Sequence, residues 1–285
     1  MHRLIACLSI ASIAVLASQA LAGEDESTPE FSGVWQVLNT ANYNIEDHMA
    51  QAAMQIMEGP DGPVPVPKLV PLGAVGAVPG GTGVLEGSLL PYQEWALEKR
   101  NENRANWLDR DPEIKCFLPG VPRATYMPFP FQIIHGDNEI LIAYEYAGAT
   151  RIIPFEDPGD APVDSWMGQS WARWEGDVLV IATTGLDDRT WFDRSGNFHS
   201  ARMTVIERIR RLGPHHLEYV AEVDDPEVFT RPWTMRMTLY ERIGPEARLG
   251  QFKCVEFVEE LMYGHLRKNP IAADAEAEPA MGGRN

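Results

Sequence analysis

One stretch of the chain, residues 185–208, concentrates side chains that could move a proton. It reads GLDDRTWFDRSGNFHSARMTVIER and contains His199, whose titration near neutral pH suits general acid–base catalysis. Asp193 precedes it across a Ser-Gly-Asn turn and could orient the imidazole. The alternative is that Asp193 caps this turn while His199 bonds a backbone carbonyl. We predict His199 and Asp193 as a catalytic pair and keep the structural alternative open.

A second candidate, Arg173, lies in a tryptophan-rich segment between Trp171 and Trp174. An arginine in this setting can stack on an aromatic face or hold a ligand carboxylate through two parallel hydrogen bonds. Such an arginine also commonly forms an ion pair with a neighbouring acid. Glu175 and Asp177 flank a glycine, which favours a turn role for both carboxylates. We predict that Arg173 stabilises negative charge on a ligand or intermediate, with the ion pair as the alternative.

Glu207 is the fourth catalytic candidate. Side chains alternate along a strand, so Val205, Glu207 and Ile209 share one face, and the two aliphatic neighbours direct that face to the interior. A buried acid of this kind could take part in proton transfer. The alternative is a structural ion pair with Arg173 or Arg208.

Aromatic side chains near these candidates could wall a cavity for an apolar ligand. Arg123 and Tyr126 precede the first long hairpin and could contact an oxygen of that ligand, although an arginine in such a loop more often binds loop carbonyls. The predicted ligand-binding residues are Trp166, Trp171, Trp191, Trp233, Tyr126 and Arg123.

The elements that must position these residues are mainly β-strands. A first strand at 31–39 and a series of alternating segments from 131 onward, the last of them QFKCVEFVEE, are joined by short turns. This pattern predicts nine or ten strands in an antiparallel meander, which closes into a lipocalin-like barrel or folds as a sandwich. Both architectures need the same alternation and stay open.

Two helices and one loop are predicted before this meander. Residues 43–58 place apolar side chains on one helical face, and 91–108 begin with a proline followed by good helix formers. Between them, residues 59–91 are rich in glycine and proline and predict an irregular apolar loop.

The ends of the chain have their own patterns. Residues 1–22 combine a basic start, a short apolar run and a small-x-small site, which predicts a signal peptide cleaved after Ala22 and a periplasmic or secreted protein. The rest contains no apolar run long enough for a membrane span. We predict one β-rich domain over 23–270 and a disordered tail over 271–285.

Composition excludes several classes of function. The formal net charge of −17 argues against nucleic acid as a partner, because phosphate binding needs a concentrated positive surface. The sequence contains no C-x-x-C or H-E-x-x-H metal motif and no glycine-rich nucleotide loop, so we predict neither a metal nor a cofactor. Cys116 and Cys254 predict either a disulfide, which an oxidising compartment permits, or two buried thiols.

Three motifs occur in order between about residues 90 and 260: C-x-x-P-G-x-P-R from Cys116, W-x-G-x-S-x-x-R-W-E-G-D-x-L-V from Trp166, and W-x-D-x-x-G-x-x-H-S from Trp191. In this combination the chain resembles a large family of secreted bacterial proteins that has no settled activity. The resemblance implies a secreted, β-rich protein but no substrate. Relatives commonly carry Cys-His-Glu-Gly-Asn near the end, whereas Val-Glu-Phe follows Cys254 here, so a role of that histidine does not carry over.

These observations support two functions almost equally. The first is an exported, cofactor-independent enzyme, an isomerase, lyase or hydrolase, that acts on an apolar or aromatic small molecule by acid–base chemistry. The second is a periplasmic carrier or sensor of hydrophobic small molecules. A third and weaker hypothesis is an envelope protein that docks through the apolar 59–91 loop.

Overall fold

The computed structural model describes residues 29–49, 56–59, 62–65 and 80–263, with the backbone alone for the two short segments. The predicted signal peptide and tail, and the central part of the glycine- and proline-rich loop, lie outside the described residues. In chain order, the strands are β1 (Gly33–Gln36), β2 (Ile56–Gly59), β3 (Gly62–Pro65), β4 (Phe131–His135), β5 (Glu139–Tyr144), β6 (Thr150–Pro154), β7 (Gln169–Glu175), β8 (Val178–Thr184), β9 (Thr204–Gly213), β10 (His216–Asp224) and β11 (Trp233–Glu241). The helices are α1 (Glu94–Ala105), α2 (Trp107–Arg110), α3 (Arg123–Tyr126) and α4 (Val258–Tyr263).

Nine of these strands form one antiparallel sheet in the order β6-β5-β4-β1-β11-β10-β9-β8-β7. The two end strands, β6 and β7, contact each other, so the sheet curls into a nearly closed barrel. The prediction of a mainly β, antiparallel meander is confirmed. Of the two architectures left open, the structure shows the barrel, and it is consistent with a lipocalin-like one.

The interior of the barrel follows the predicted alternation. Inward positions of β10 carry buried apolar side chains such as Leu217, Ala221 and Val223, while the positions between them are partly exposed. The same period places Ser170, Ala172 and Trp174 on the inner face of β7 and the other half of that strand outside. Closure therefore buries one face of every long strand.

A charged network links strands across the gap between β6 and β7. Arg151 of β6 donates two hydrogen bonds to Glu207 of β9, at 3.1 and 2.5 Å, and further ones to Ser170 of β7 and Thr183 of β8. Tyr219 of β10 donates to the same glutamate at 2.9 Å. Side chains thus join the end strands where no backbone ladder does.

Three sequence predictions are wrong in the described residues. Within the segment 43–58, which was predicted as a helix, residues 43–49 form turns and an isolated bridge, and Ile56–Gly59 is strand β2. That strand pairs with Gly62–Pro65, so a hairpin occupies the start of the loop predicted as irregular. The predicted last strand, QFKCVEFVEE, is extended chain and a turn that lead into α4. The helix predicted at 91–108 is confirmed as α1 and the start of α2.

The C-terminal segment 249–263 crosses the outside of the molecule. Cys254 forms a disulfide with Cys116, with the two Cα atoms 5.6 Å apart, so the structure contains the bridge rather than two thiols. No helix in the described part of the chain is both long and apolar enough to cross a membrane.

Candidate functional site

The connector between β8 and β9, residues 185–203, folds back on itself as a small hairpin. Trp191 and Phe198 form an antiparallel bridge, which places Thr190 opposite His199 in the same register. Because successive side chains alternate in direction, Trp191 and Phe198 lie on one face of this hairpin, and Thr190 and His199 lie on the other. The hairpin therefore has two different faces, an aromatic outer face that forms a wall of the neighbouring pocket and a polar inner face.

On the inner face, His199 and Thr190 contact each other through their polar side-chain atoms. The Nε2 atom of His199 lies 2.6 Å from the Thr190 hydroxyl, and its Nδ1 atom lies 2.9 Å from the carbonyl oxygen of Ser200. A carbonyl can only accept, so Nδ1 carries the proton. In the neutral ring Nε2 then accepts from the Thr190 hydroxyl, whose oxygen also lies 3.3 Å from the carbonyl oxygen of Asp187. Burial lowers the pKa of His199 below its usual value, which favours this neutral form. Both ring nitrogens are thus already hydrogen-bonded within the protein.

Asp193 binds backbone and amide groups, not the imidazole. Its carboxylate accepts hydrogen bonds from the backbone N–H groups of Ile45 and Ser195 and from the side chain of Asn197, at 2.9, 2.8 and 2.6 Å. Burial raises the pKa of Asp193 to about 6. The predicted pairing of His199 with Asp193 is therefore absent from the geometry, and the turn-capping alternative describes both residues.

Glu207 and Arg173 have separate environments. Glu207 is buried as predicted, but its partner is Arg151, and neither Arg173 nor Arg208 reaches it. Arg173 lies on the outer face of β7, where it binds Glu175 at 2.5 Å and contacts Trp171. These two candidates therefore lie on opposite sides of the barrel wall.

The predicted ligand-binding residues divide into three groups. Tyr126 and Trp233 are core residues, and the hydroxyl of Tyr126 donates to the carbonyl of Phe192 at 2.8 Å. Arg123 is buried against Glu113 and the side chain of Asn42. The polar groups of Tyr126 and Arg123 are thus bonded within the protein, whereas the indole N–H of Trp233 is buried without a hydrogen-bond partner among the described residues.

The tryptophans differ in position as well. Trp171 belongs to the outer surface of β7. Trp166 stacks beneath the guanidinium of Arg189 at 4.3 Å and against Phe117. Trp191 lines a pocket beside the connector.

That pocket, which we call the connector pocket, has a volume of about 450 Å³. Helices α1 and α2, the loop that follows them and the outer side of the connector hairpin form its walls. Its lining consists of Lys99, Asn103, Arg110, Lys115, Phe117, Asp188, Arg189, Trp191 and Phe198. Four cations, three aromatic rings and one carboxylate thus surround it.

Two glycines let these walls approach closely. Gly196 has a φ of +84°, and a Cβ there would lie 2.8 Å from the backbone of α1 at Arg100 and Arg104. Gly120 has a φ of +73°, and a Cβ there would lie 2.7 Å from the Thr190 hydroxyl. Only glycine permits both the backbone angle and the contact, so these positions fix α1 and the 116–123 loop against the connector.

The cations of the connector pocket differ in how they are paired. Arg189 forms two hydrogen bonds with Asp187, and Arg110 binds Glu102 at 2.8 Å. Lys99 lies over the ring of Phe198 at 4.4 Å. Neither Lys99 nor Lys115 forms an ion pair with an acid in the described residues.

Sequence reasoning missed most of this pocket, although one signal was present. Lys99 and Asn103 are four residues apart in the predicted helix 91–108, so they share a helical face. Applying the helical period to polar as well as apolar positions would have joined them. The contributions of Lys115 and Arg189 depend on contacts distant in sequence.

No group of three or more histidine, cysteine or acidic residues in the described ranges is arranged to hold a metal ion. Comparison of the chain with family models, with curated proteins and with solved structures finds no match. The resemblance to secreted bacterial proteins therefore stays a prediction, and the function has to be argued from the geometry.

Proposed function

We propose that this protein binds a small organic anion with an aromatic or apolar body in the connector pocket. The observation that carries the proposal is the local reversal of charge: the chain has a formal net charge of −17, yet four cations and one carboxylate line this pocket. Repulsion from the rest of the surface disfavours anions elsewhere, so a positive pocket selects for them. This proposal keeps the carrier function predicted from the sequence and adds that the hydrophobic ligand also bears a negative charge.

The size and walls of the pocket suit such a ligand. Its volume of about 450 Å³ falls within the range of roughly 300–1,000 Å³ that is typical of small-molecule sites. Phe117 is partly exposed and offers aromatic surface to a ring, and aromatic pairs add attraction beyond the area they bury. Trp191 and Phe198, which are 6% and 2% exposed, contribute only the small part of their surface that reaches the pocket. The ligand body would thus lie against the connector hairpin.

The lysines are the groups best able to hold the negative charge. Arg110 and Arg189 each have a carboxylate partner within the protein, so a ligand would compete with that partner. Lys99 and Lys115 have no such competitor in the described residues. Hydrogen bonds to a charged group contribute about 1.5–3 kcal/mol, enough to discriminate an anion from a neutral analogue.

Acid–base catalysis remains a prediction with weaker geometric support. The short contact between Thr190 and His199 is one requirement of a hydroxyl–imidazole pair. Both residues, however, are only 2% exposed and lie behind the wall that Trp191 and Phe198 present to the pocket. A ligand in the connector pocket would not touch them, so binding is the function we propose.

The test uses 2-naphthoate and its neutral analogue 2-naphthamide, titrated by calorimetry. We expect the anion to bind more tightly than the amide and to weaken as ionic strength rises. Lys115→Met should weaken binding of the anion about tenfold and leave the amide nearly unchanged. Arg173→Met, which removes a cation from the outer face of β7, is the matched control and should change neither affinity.

Equal affinities for the two compounds, or an unaffected Lys115→Met variant, would contradict the proposal. A second measurement separates binding from turnover: mass spectrometry of ligands recovered after incubation with an extract of aromatic acids. Recovery of unmodified ligand supports binding. A chemically altered ligand would show an enzyme instead.

A further inference from the structure

The C-terminal segment 249–263, which we call the strap, packs against the turn that joins β5 to β6. The backbone N–H of Gly250 donates to the carboxylate of Glu145 at 2.6 Å, and the ring of Phe252 stacks on Tyr146. A pocket of about 530 Å³ lies between the start of the strap and this turn. We call it the strap pocket, and it shares no lining residue with the connector pocket.

Two opposite charges line the strap pocket, and neither is neutralised by an ion pair. Glu145 and Lys253 are the charged residues of its lining, and in the described residues neither forms an ion pair with the other or with any further group. Acidic residues outnumber Lys and Arg by 41 to 24 in this chain, so acids to pair with a lysine are plentiful. The pocket therefore presents one anion and one cation that a ligand can neutralise.

Lys253 also borders a second cavity, of about 240 Å³, which shares Phe252 and Lys253 with the strap pocket. The acids of that cavity are Glu113 and Glu259, and each is bound to an arginine, at 2.5 and 2.6 Å. Neither acid is therefore available to neutralise the lysine. The exposed side chain of Lys253 stays free to pair with a carboxylate in the strap pocket.

The carboxylate of Glu145 is held at the wall of the strap pocket by the backbone. Its Oε2 atom accepts the hydrogen bond from Gly250, which itself lines the pocket. A Cβ at position 250 would lie 3.2 Å from this oxygen, so glycine suits the close approach. The Oε1 atom has no hydrogen-bond partner among the described residues. A ligand ammonium group can therefore bind Glu145 without displacing Gly250.

The uncharged part of the lining suits apolar side chains and a peptide group. Ala143, Leu249 and Phe252 are partly exposed and offer apolar surface. Thr150 and Gln251 are exposed and can exchange hydrogen bonds with a peptide group. The pocket volume lies within the range of roughly 300–1,000 Å³ that is typical of small-molecule sites.

The separation of the two charges sets the length of the ligand. Gly250, which bonds Glu145, and Lys253 are three residues apart, which corresponds to at most about 10 Å of extended chain. An extended ligand of two residues is about 7 Å long. Because the side chain of Lys253 is long and exposed, it can close the remaining distance.

We propose that the strap pocket binds short zwitterionic peptides, of about two residues, with apolar side chains. The ammonium group of the peptide pairs with Glu145, and its carboxylate pairs with Lys253. The peptide side chains pack against Leu249 and Phe252. This site is independent of the function proposed for the connector pocket.

The test titrates three peptides into the oxidised full chain by calorimetry. Leucyl-leucine carries both charges, N-acetyl-leucyl-leucine lacks the ammonium group, and leucyl-leucinamide lacks the carboxylate. We expect each modified peptide to bind about threefold more weakly than leucyl-leucine, the effect of one partly exposed ion pair. Equal affinities for the three peptides, or no binding of leucyl-leucine, would overturn the proposal.

Two variants assign each peptide charge to its residue. Glu145→Gln removes the charge but keeps an oxygen that can accept from Gly250. It should weaken leucyl-leucine about threefold and leave N-acetyl-leucyl-leucine unchanged. Lys253→Met should weaken leucyl-leucine by a similar factor and leave leucyl-leucinamide unchanged. Variants that leave leucyl-leucine unaffected, or that weaken all three peptides alike, would overturn the proposal.

A reciprocal control separates the two pockets. Lys115→Met should leave the affinity for leucyl-leucine unchanged, and Glu145→Gln should leave the affinity for 2-naphthoate unchanged. Failure of the strap pocket to bind peptides is therefore distinguishable from failure of the connector pocket to bind anions. Loss of leucyl-leucine binding in Lys115→Met would place the peptide in the connector pocket and overturn the proposal.

Discussion

The barrel interior and the connector pocket both contain cations, but they use them differently. Inside the barrel, Arg151 is 2% exposed and hydrogen-bonds a glutamate and two hydroxyls of neighbouring strands. In the connector pocket, Lys99 and Lys115 have no acidic partner among the described residues. A buried or charged side chain is therefore not sufficient by itself to identify a binding site. The informative feature is a charge that the protein itself leaves uncompensated.

The largest expected effect comes from breaking the interior pair. Arg151→Met leaves Glu207 buried without its cation, and we expect a loss of about 3–5 kcal/mol in the free energy of unfolding, measured with urea. The double variant Arg151→Met with Glu207→Leu should recover most of that loss, because no uncompensated charge remains. An Arg151→Met variant as stable as the wild type would refute the view that this pair closes the barrel.

A smaller effect is expected from His199, which lies between the two regions. Its folded-state pKa is below the usual 6.5, so the unfolded chain binds more protons than the folded one in this range. His199 therefore contributes a fall in stability as pH decreases below about 6.5, whereas Asp193, whose pKa burial raises to about 6, contributes a change of opposite sign over an overlapping range. We expect the difference in the free energy of unfolding between the wild type and His199→Gln, measured in urea titrations, to fall as pH decreases from about 7.5 to about 5.5. A difference that does not change over this range would contradict the lowered pKa of His199.

The smallest effect is expected at the exposed pair of Arg173 and Glu175. It repeats the chemistry of the interior pair on the outer face of β7, where both side chains are about half exposed. Exposed pairs contribute about 0–1 kcal/mol, so Arg173→Met should lower the free energy of unfolding by less than 1 kcal/mol. A loss of unfolding free energy comparable to that of Arg151→Met would contradict the expectation that the exposed pair contributes much less than the buried one.

The strands were predictable because alternation is a local property of the sequence. The same alternation correctly directed Glu207 inward, and short turns correctly indicated antiparallel neighbours. The partner of Glu207 was not predictable, because Arg151 and Glu207 are 56 residues apart in the sequence and come into contact only when the barrel closes. Sequence reasoning therefore found the buried acid and named the wrong arginine.

The errors in local structure have a similar cause. Residues 43–58 carry apolar side chains at helical spacing, yet Ile56–Gly59 pairs with Gly62–Pro65 as a hairpin. Pairing between segments overrides a weak helical pattern. The prediction for Asp193 failed for another reason, since a carboxylate near a histidine in sequence equally suits backbone N–H groups, and only coordinates decide between them.

The disulfide has a consequence for the connectivity of the whole molecule. It joins residues 138 positions apart, and the covalent ring that it closes contains β4 to β11, eight of the nine barrel strands. The remaining strand, β1, inserts between β4 and β11 from outside the ring. A single proteolytic cut anywhere within the ring opens it into a linear chain but releases no fragment, so every one of these eight strands stays tethered and the barrel can re-form without a search for a lost piece.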